Sequence, residues 1–229
     1  GAGGAPLAAI ELGKSEYDAK AKEKANEILG NVIIMIIGFS LILSVFFYLF
    51  KEPILLAFGA SENTLPFAKD YLEIYLIGTL FVQISIGLNP FISCQGFAKT
   101  AMTSVIIGAV ANIILDPIFI FGLNLGVRGA AFATIISQGI SAIWIIRFLA
   151  SKKSALPLSV KIIRFRPKII GKISSLGISP FIMQSTESAI FVVFNSGLQK
   201  YGGDLYVGAM TIMQSIMQMC FVPLSGFTD

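Results

Sequence analysis

The sequence contains no histidine, so it lacks the side chain that most often serves as a general base or metal ligand near neutral pH. Its two cysteines, Cys94 and Cys220, form neither a CxxC pair nor a zinc-type spacing. Charged residues make up only 13% of the chain, whereas soluble domains carry roughly 25%. These shortages argue against a histidine-based hydrolase, a cysteine-ligated metal domain and an ordinary soluble fold.

Catalytic and phosphate-binding motifs are missing as well. The chain has no HExxH, no GxSxG, no paired aspartate cluster for a metal-bound diphosphate and no glycine-rich loop ending in GK[S/T]. The net charge of +4 could suit nucleic acid, but the basic residues lie in loops without interleaved aromatic residues. We therefore expect no enzyme, no nucleic-acid partner and no tightly bound cofactor.

Long apolar runs dominate what remains. Hydrophobic residues make up 55% of the chain, and the mean hydropathy is +0.81. A helix needs about 20 mostly apolar residues to cross a bilayer, and the runs lack the two-residue alternation of strands. The pattern predicts an all-α membrane protein, a polytopic transmembrane helix bundle, with spans at about residues 30–50, 71–95, 100–121, 129–149, 173–198 and 205–228.

The connectors between these spans differ in charge. Thirteen of the 17 basic residues fall on one side of the membrane, which the positive-inside rule places in the cytoplasm. We therefore predict a multi-pass protein of the cell (inner or plasma) membrane. The long basic connector predicts an amino-terminal lobe at 1–150, a cytoplasmic linker at 151–172 and the start of a carboxy-terminal lobe at 173–229. Both ends of the chain look cut, so we expect a piece of a longer protein.

Two carboxylates lie inside predicted spans, where an ionisable group costs at least about 2.5–3.5 kcal/mol and is a functional candidate. Asp116 follows Asn112 by four residues, so both face one side of a helix. Their oxygens suit a proton or a hard cation such as Na⁺. The alternative is that Asp116 only caps or pins helix packing, as Asp-Pro often does at a turn.

Glu187 lies in the middle of the fifth predicted span. Gln184, Phe191 and Asn195 share its helical face by spacing, and such a face suits an aqueous cavity that holds an organic cation. The alternative is a hydrogen-bonded contact between helices. In the last span Met213 and Met217 follow helical spacing, which suits either an adaptable cavity wall or plain packing.

Three segments carry a family resemblance: CQGFAKTAM at 94–102, NIILDPIFIF at 112–121 and GVRGAAFATIISQ at 126–138. They resemble the multidrug and toxic compound extrusion (MATE) transporters. The resemblance implies twelve helices in two lobes around a central cavity, with this chain running from the end of helix 2 into helix 8. It also implies a coupling-cation site at Asn112, Asp116 and Thr134, with Glu187 matching an acid on helix 7.

We therefore expect a secondary active antiporter that exports organic, often cationic, drugs in exchange for Na⁺ or H⁺. Its partners would be these small molecules and the lipid bilayer, and it would be a monomer when full length. The first alternative is a lipid-linked oligosaccharide flippase of the same plan, although such flippases often line the cavity with Arg or Lys and no span here holds one in its interior. A membrane-embedded enzyme or a scaffold is the alternative of a different class.

Overall fold

The computed structural model describes residues 1–15, 17, 19–158 and 162–225. Within these residues the regular structure is helical throughout, which confirms the predicted all-α class. The elements are α1 (Gly4–Lys14), α2 (Ala19–Leu49), α3 (Lys51–Ala57), α4 (Leu65–Ile77), α5 (Thr79–Ser93), α6 (Ala98–Pro117), a π-helical turn (Ile118–Gly122), α7 (Gly126–Leu149) and α8 (Pro167–Ser225).

Four helices in the described part of the chain are long and apolar enough to cross a membrane, or five if a bent pair counts as one span. They include the first, third and fourth predicted spans as parts of α2, α6 and α7. Helix α2 begins well before the predicted span because a Lys- and Glu-rich segment, which is polar but forms helices readily, extends it toward the amino terminus.

The remaining predicted spans differ from simple straight helices. The second is α4 followed by α5, with a 59° bend at Gly78. The fifth and sixth both lie in α8, whose backbone is interrupted at Gly203 (φ 68°, ψ −168°). This break falls between the two predicted spans, so α8 counts once above although the sequence divides it in two. The end of the sixth predicted span, 226–228, lies outside the described residues.

The chain forms two compact units. The first contains Gly1–Leu49 and Asp70–Met183, and its core surrounds fully buried side chains that include Leu29, Phe91 and Ile145. Within it α6 packs on α7, and α5 packs on both α2 and α7. The second unit combines Phe50–Lys69 with the chain from Gln184 onward.

A segment that we call the strap, residues 151–158 and 162–166, packs onto the first unit. The side-chain oxygen of Gln95 accepts hydrogen bonds from the Ser154 hydroxyl at 3.0 Å and the Ala155 amide at 2.7 Å. At the other end the amide of Arg166 donates to Oδ1 of fully buried Asn31 at 2.8 Å. These side chains satisfy strap backbone groups that lack a helical partner, so the strap is held by specific contacts.

Candidate functional site

Asn112 and Asp116 lie one turn apart at the carboxyl end of α6. Both side chains are half-buried, and two of their atoms, Asn112 Nδ2 and Asp116 Oδ1, are buried without a hydrogen-bond partner. Pro117 ends the α-helix because it has no amide proton to donate, and the wider π-helical turn follows directly. A buried carboxylate oxygen without a donor is costly, so this position suits a bound proton or cation.

Thr134 lies on α7, which is antiparallel to α6. The register between the two helices is given by two close contacts. A Cβ on Gly129 would come within 2.6 Å of the Phe119 carbonyl oxygen, and the Ser141 hydroxyl donates to the Ser104 carbonyl at 2.7 Å. Interpolation between them sets Thr134 level with the turn of α6 that separates Asn112 from Asp116.

The three residues do not bond to one another in the part of the chain that the structure describes. The Thr134 hydroxyl donates to the Ala130 carbonyl of its own helix at 2.9 Å, which leaves its oxygen lone pairs able to accept or to ligate. Helices α6 and α7 thus set two oxygen-bearing side chains and a hydroxyl at one level. This arrangement can accommodate a small cation or a proton with water.

The second predicted carboxylate, Glu187, lies in the second unit. Its Oε2 accepts a hydrogen bond from Gln184 Nε2 at 3.0 Å, and both side chains are exposed within this chain. Phe191 is 43% exposed on the same face. Asn195 is half-buried one turn further on, with an unpartnered Oδ1. The face is polar and open, as a cavity wall would be.

The methionines of the last span lie beyond the break at Gly203. Met213 and Met217 are 50% and 51% exposed and lie four residues apart, so they form an open apolar strip on that segment of α8. The structure leaves both interpretations of this strip available, an adaptable cavity wall and a packing surface.

Sequence reasoning missed two polar residues near this face. Gln199 follows Asn195 by four residues and also has a buried, unpartnered oxygen, Oε1. Its Nε2 donates to the Asp204 carboxylate at 3.0 Å. The signal was present, because Gln199 continues the spacing of 187, 191 and 195, but Asp204 lies past the helix break, where helical spacing no longer applies.

Comparison with known proteins assigns the chain to a family. The family model MatE matches residues 5–118, which include Asn112 and Asp116. The chain belongs to the MATE family. Members of this family are transporters, which confirms the expectation that the chain is not part of an enzyme.

Individual MATE proteins agree with this assignment. The multidrug export protein MepA of Staphylococcus haemolyticus is 31% identical over 202 residues, covering 88% of this chain and 44% of MepA. The MATE multidrug transporter DinF-BH, solved in complex with a drug-like substrate, is 32% identical with a TM-score of 0.82, covering 98% of this chain and 50% of its own.

A multidrug resistance MATE family transporter of the MOP superfamily, solved in an inward-facing conformation, has a TM-score of 0.89. It is 24% identical, and the match covers 97% of this chain and 50% of that one, so it shows the shared fold. The chain therefore spans about half the length of the relatives that it matches.

Proposed function

We propose that the protein is a secondary active antiporter that exports organic, often cationic, compounds in exchange for Na⁺ or H⁺. One observation carries the proposal: Asp116 presents a buried, unpartnered carboxylate oxygen inside an apolar helix, level with Thr134 of the neighbouring helix. Such groups inside a membrane mark ion pathways far more often than they serve packing. MATE relatives named as multidrug export proteins support the same interpretation.

Competition for carboxylates would couple the two movements. Asp116 would bind the coupling cation with help from the Asn112 and Thr134 side-chain oxygens, and Glu187 would meet a drug cation within the face of Gln184, Phe191 and Asn195. A ligand shifts a conformational equilibrium only as far as it prefers one state, so the ion and the drug must favour opposite states. Ion binding then drives release of the drug.

The coupling ion is cargo and not a resident cofactor. Among the described residues no group of three or more His, Cys, Asp or Glu could hold a metal, whereas a carboxylate, an amide and a hydroxyl suit a weakly held Na⁺ or a proton. The protein would act as a multi-pass monomer of the cell membrane. The comparisons give no support to the flippase alternative, because the named relatives are multidrug export proteins and transporters.

Efflux from cells tests the proposal. The protein is expressed from its complete reading frame, cells are loaded with a fluorescent organic cation, and the Na⁺ and H⁺ gradients are collapsed one at a time. We expect export to stop when one gradient is lost, which identifies the coupling ion. Export that survives the loss of both gradients, or no export under any gradient, would contradict an antiporter.

A further inference from the structure

The second unit contains a carboxylate that is held from two sides. The Ser61 hydroxyl donates to Oδ2 of Asp204 at 3.1 Å, and Gln199 Nε2 donates to Oδ1 at 3.0 Å. Ser61 and Asp204 are 143 residues apart, so this small cluster joins distant parts of the chain. We call Ser61, Gln199 and Asp204 the latch.

Ser61 is held in position by its own turn. Its amide donates to the Thr64 hydroxyl at 2.9 Å, and the Thr64 amide donates to the Ser61 hydroxyl at 3.2 Å, a reciprocal pair at the start of α4. Lys69 and Glu52 form an ion pair near the two ends of the same segment, and the Lys69 hydrogen bond lowers the pKa of the Glu52 carboxyl. The turn therefore presents the Ser61 hydroxyl in a defined place.

The two halves of the latch also meet through their backbones. A Cβ on Gly59 would come within 2.9 Å of the Asn195 carbonyl oxygen, so the turn lies directly against α8 here. On α8 itself the positions Glu187, Phe191, Asn195 and Gln199 share one face by spacing. The latch thus closes the end of the face to which we assign the drug.

Topology gives this contact its meaning. The positive-inside pattern places the connectors that hold Ser61 and Asp204 on the side opposite the cytoplasm. The same pattern assigns Ser61 to the amino-terminal lobe and Asp204 to the carboxy-terminal lobe. A contact between the two lobes on this side must separate whenever an exporter opens outward.

We propose that the latch is an extracellular gate whose hydrogen bonds break each time the drug is released. The inference rests on the proposed function. Hydrogen bonds at an exposed site contribute little net stability, because water competes for the same groups, so the contact can close and reopen readily. Asp204 is a positioning residue here, since it acts on the arrangement of the lobes and touches no transported ion.

A reversible cross-link tests the gate. S61C and D204C are combined in a background with Cys94 and Cys220 replaced by alanine, and copper phenanthroline is the oxidant. The linked tryptic peptides are scored by mass spectrometry, and efflux is measured before oxidation, after it and after reduction. We expect a link, at least a tenfold loss of export on oxidation, and recovery with reductant, while S61C alone and D204C alone keep their export.

A second variant covers the case in which the cysteine pair fails to fold. D204A removes both hydrogen bonds, so we expect a membrane-impermeant thiol reagent to label S61C at least several-fold faster in this variant. D204N, which keeps the shape and one bond, should lie between. An unchanged labelling rate, no link in a protein that exports, or a link that leaves export intact would each overturn the latch. A protein that exports nothing under any gradient would overturn the proposed function and the gate with it.

Discussion

Replacement of Gly30 by alanine should loosen the strap. Gly30 lies on α2 directly under the strap, and a Cβ there would be 2.0 Å from the Ile162 carbonyl oxygen. The obstacle is backbone and not a flexible side-chain tip, so rotation of a side chain cannot relieve it. The strap would have to withdraw by about 1.4 Å to reach the ordinary contact distance of 3.4 Å.

The cost follows from this displacement. Added atoms in a packed site cost about 1–3 kcal/mol. The Arg166 amide, 2.8 Å from Asn31 Oδ1, would be pulled from its acceptor at the same time, and Asn31 is fully buried. A change of about 1–3 kcal/mol raises the population of the detached strap by roughly 5- to 150-fold, since about 1.4 kcal/mol corresponds to a factor of ten.

Limited trypsin digestion measures this population. Cleavage after Arg164 requires the strap to leave its place, whereas Pro167 protects the bond after Arg166. Cleavage tracks the open population when opening is fast relative to cutting. The matched control is G38A on the same helix, where a Cβ would meet nothing within 4 Å. Equal cleavage rates in the two variants would refute the reasoning.

Three further predictions concern the site and the strap. E187Q should lower export at least tenfold with normal membrane insertion, because the neutral amide cannot hold a cation, and E23Q on the exposed face of α2 serves as the control. D116N should weaken the dependence of export on the coupling ion; an unchanged dependence would reduce Asp116 to a structural residue. Q95A removes the acceptor for the strap amides and should lower the apparent melting temperature by roughly a few degrees in thermal scans, whereas Q83A should not.

The fold class was accessible from the sequence because apolar run length is a strong signal. The bend at Gly78 was not, since one glycine within an apolar run predicts neither a break nor its angle. The strap escaped prediction for a different reason. Its contacts join Asn31 to Arg166 and Gln95 to Ala155, and no local pattern reports pairs so far apart.

The candidate site divides in the same way. Helical spacing alone paired Asn112 with Asp116 and grouped Glu187 with its neighbours. The level of Thr134 depends on how α6 packs against α7, which only the resemblance suggested in advance. Asp204 was missed because its partner Ser61 lies in a distant turn.

The most direct test of the account uses purified protein in sealed vesicles. A Na⁺ gradient or an H⁺ gradient is imposed in separate experiments, and movement of a fluorescent organic cation against the ion is recorded for the wild type, D116N and E187Q. The account predicts that one gradient drives the cation in the wild type and that E187Q abolishes this movement. Movement that ignores both gradients, or equal movement in all three proteins, would contradict ion-coupled export through these carboxylates.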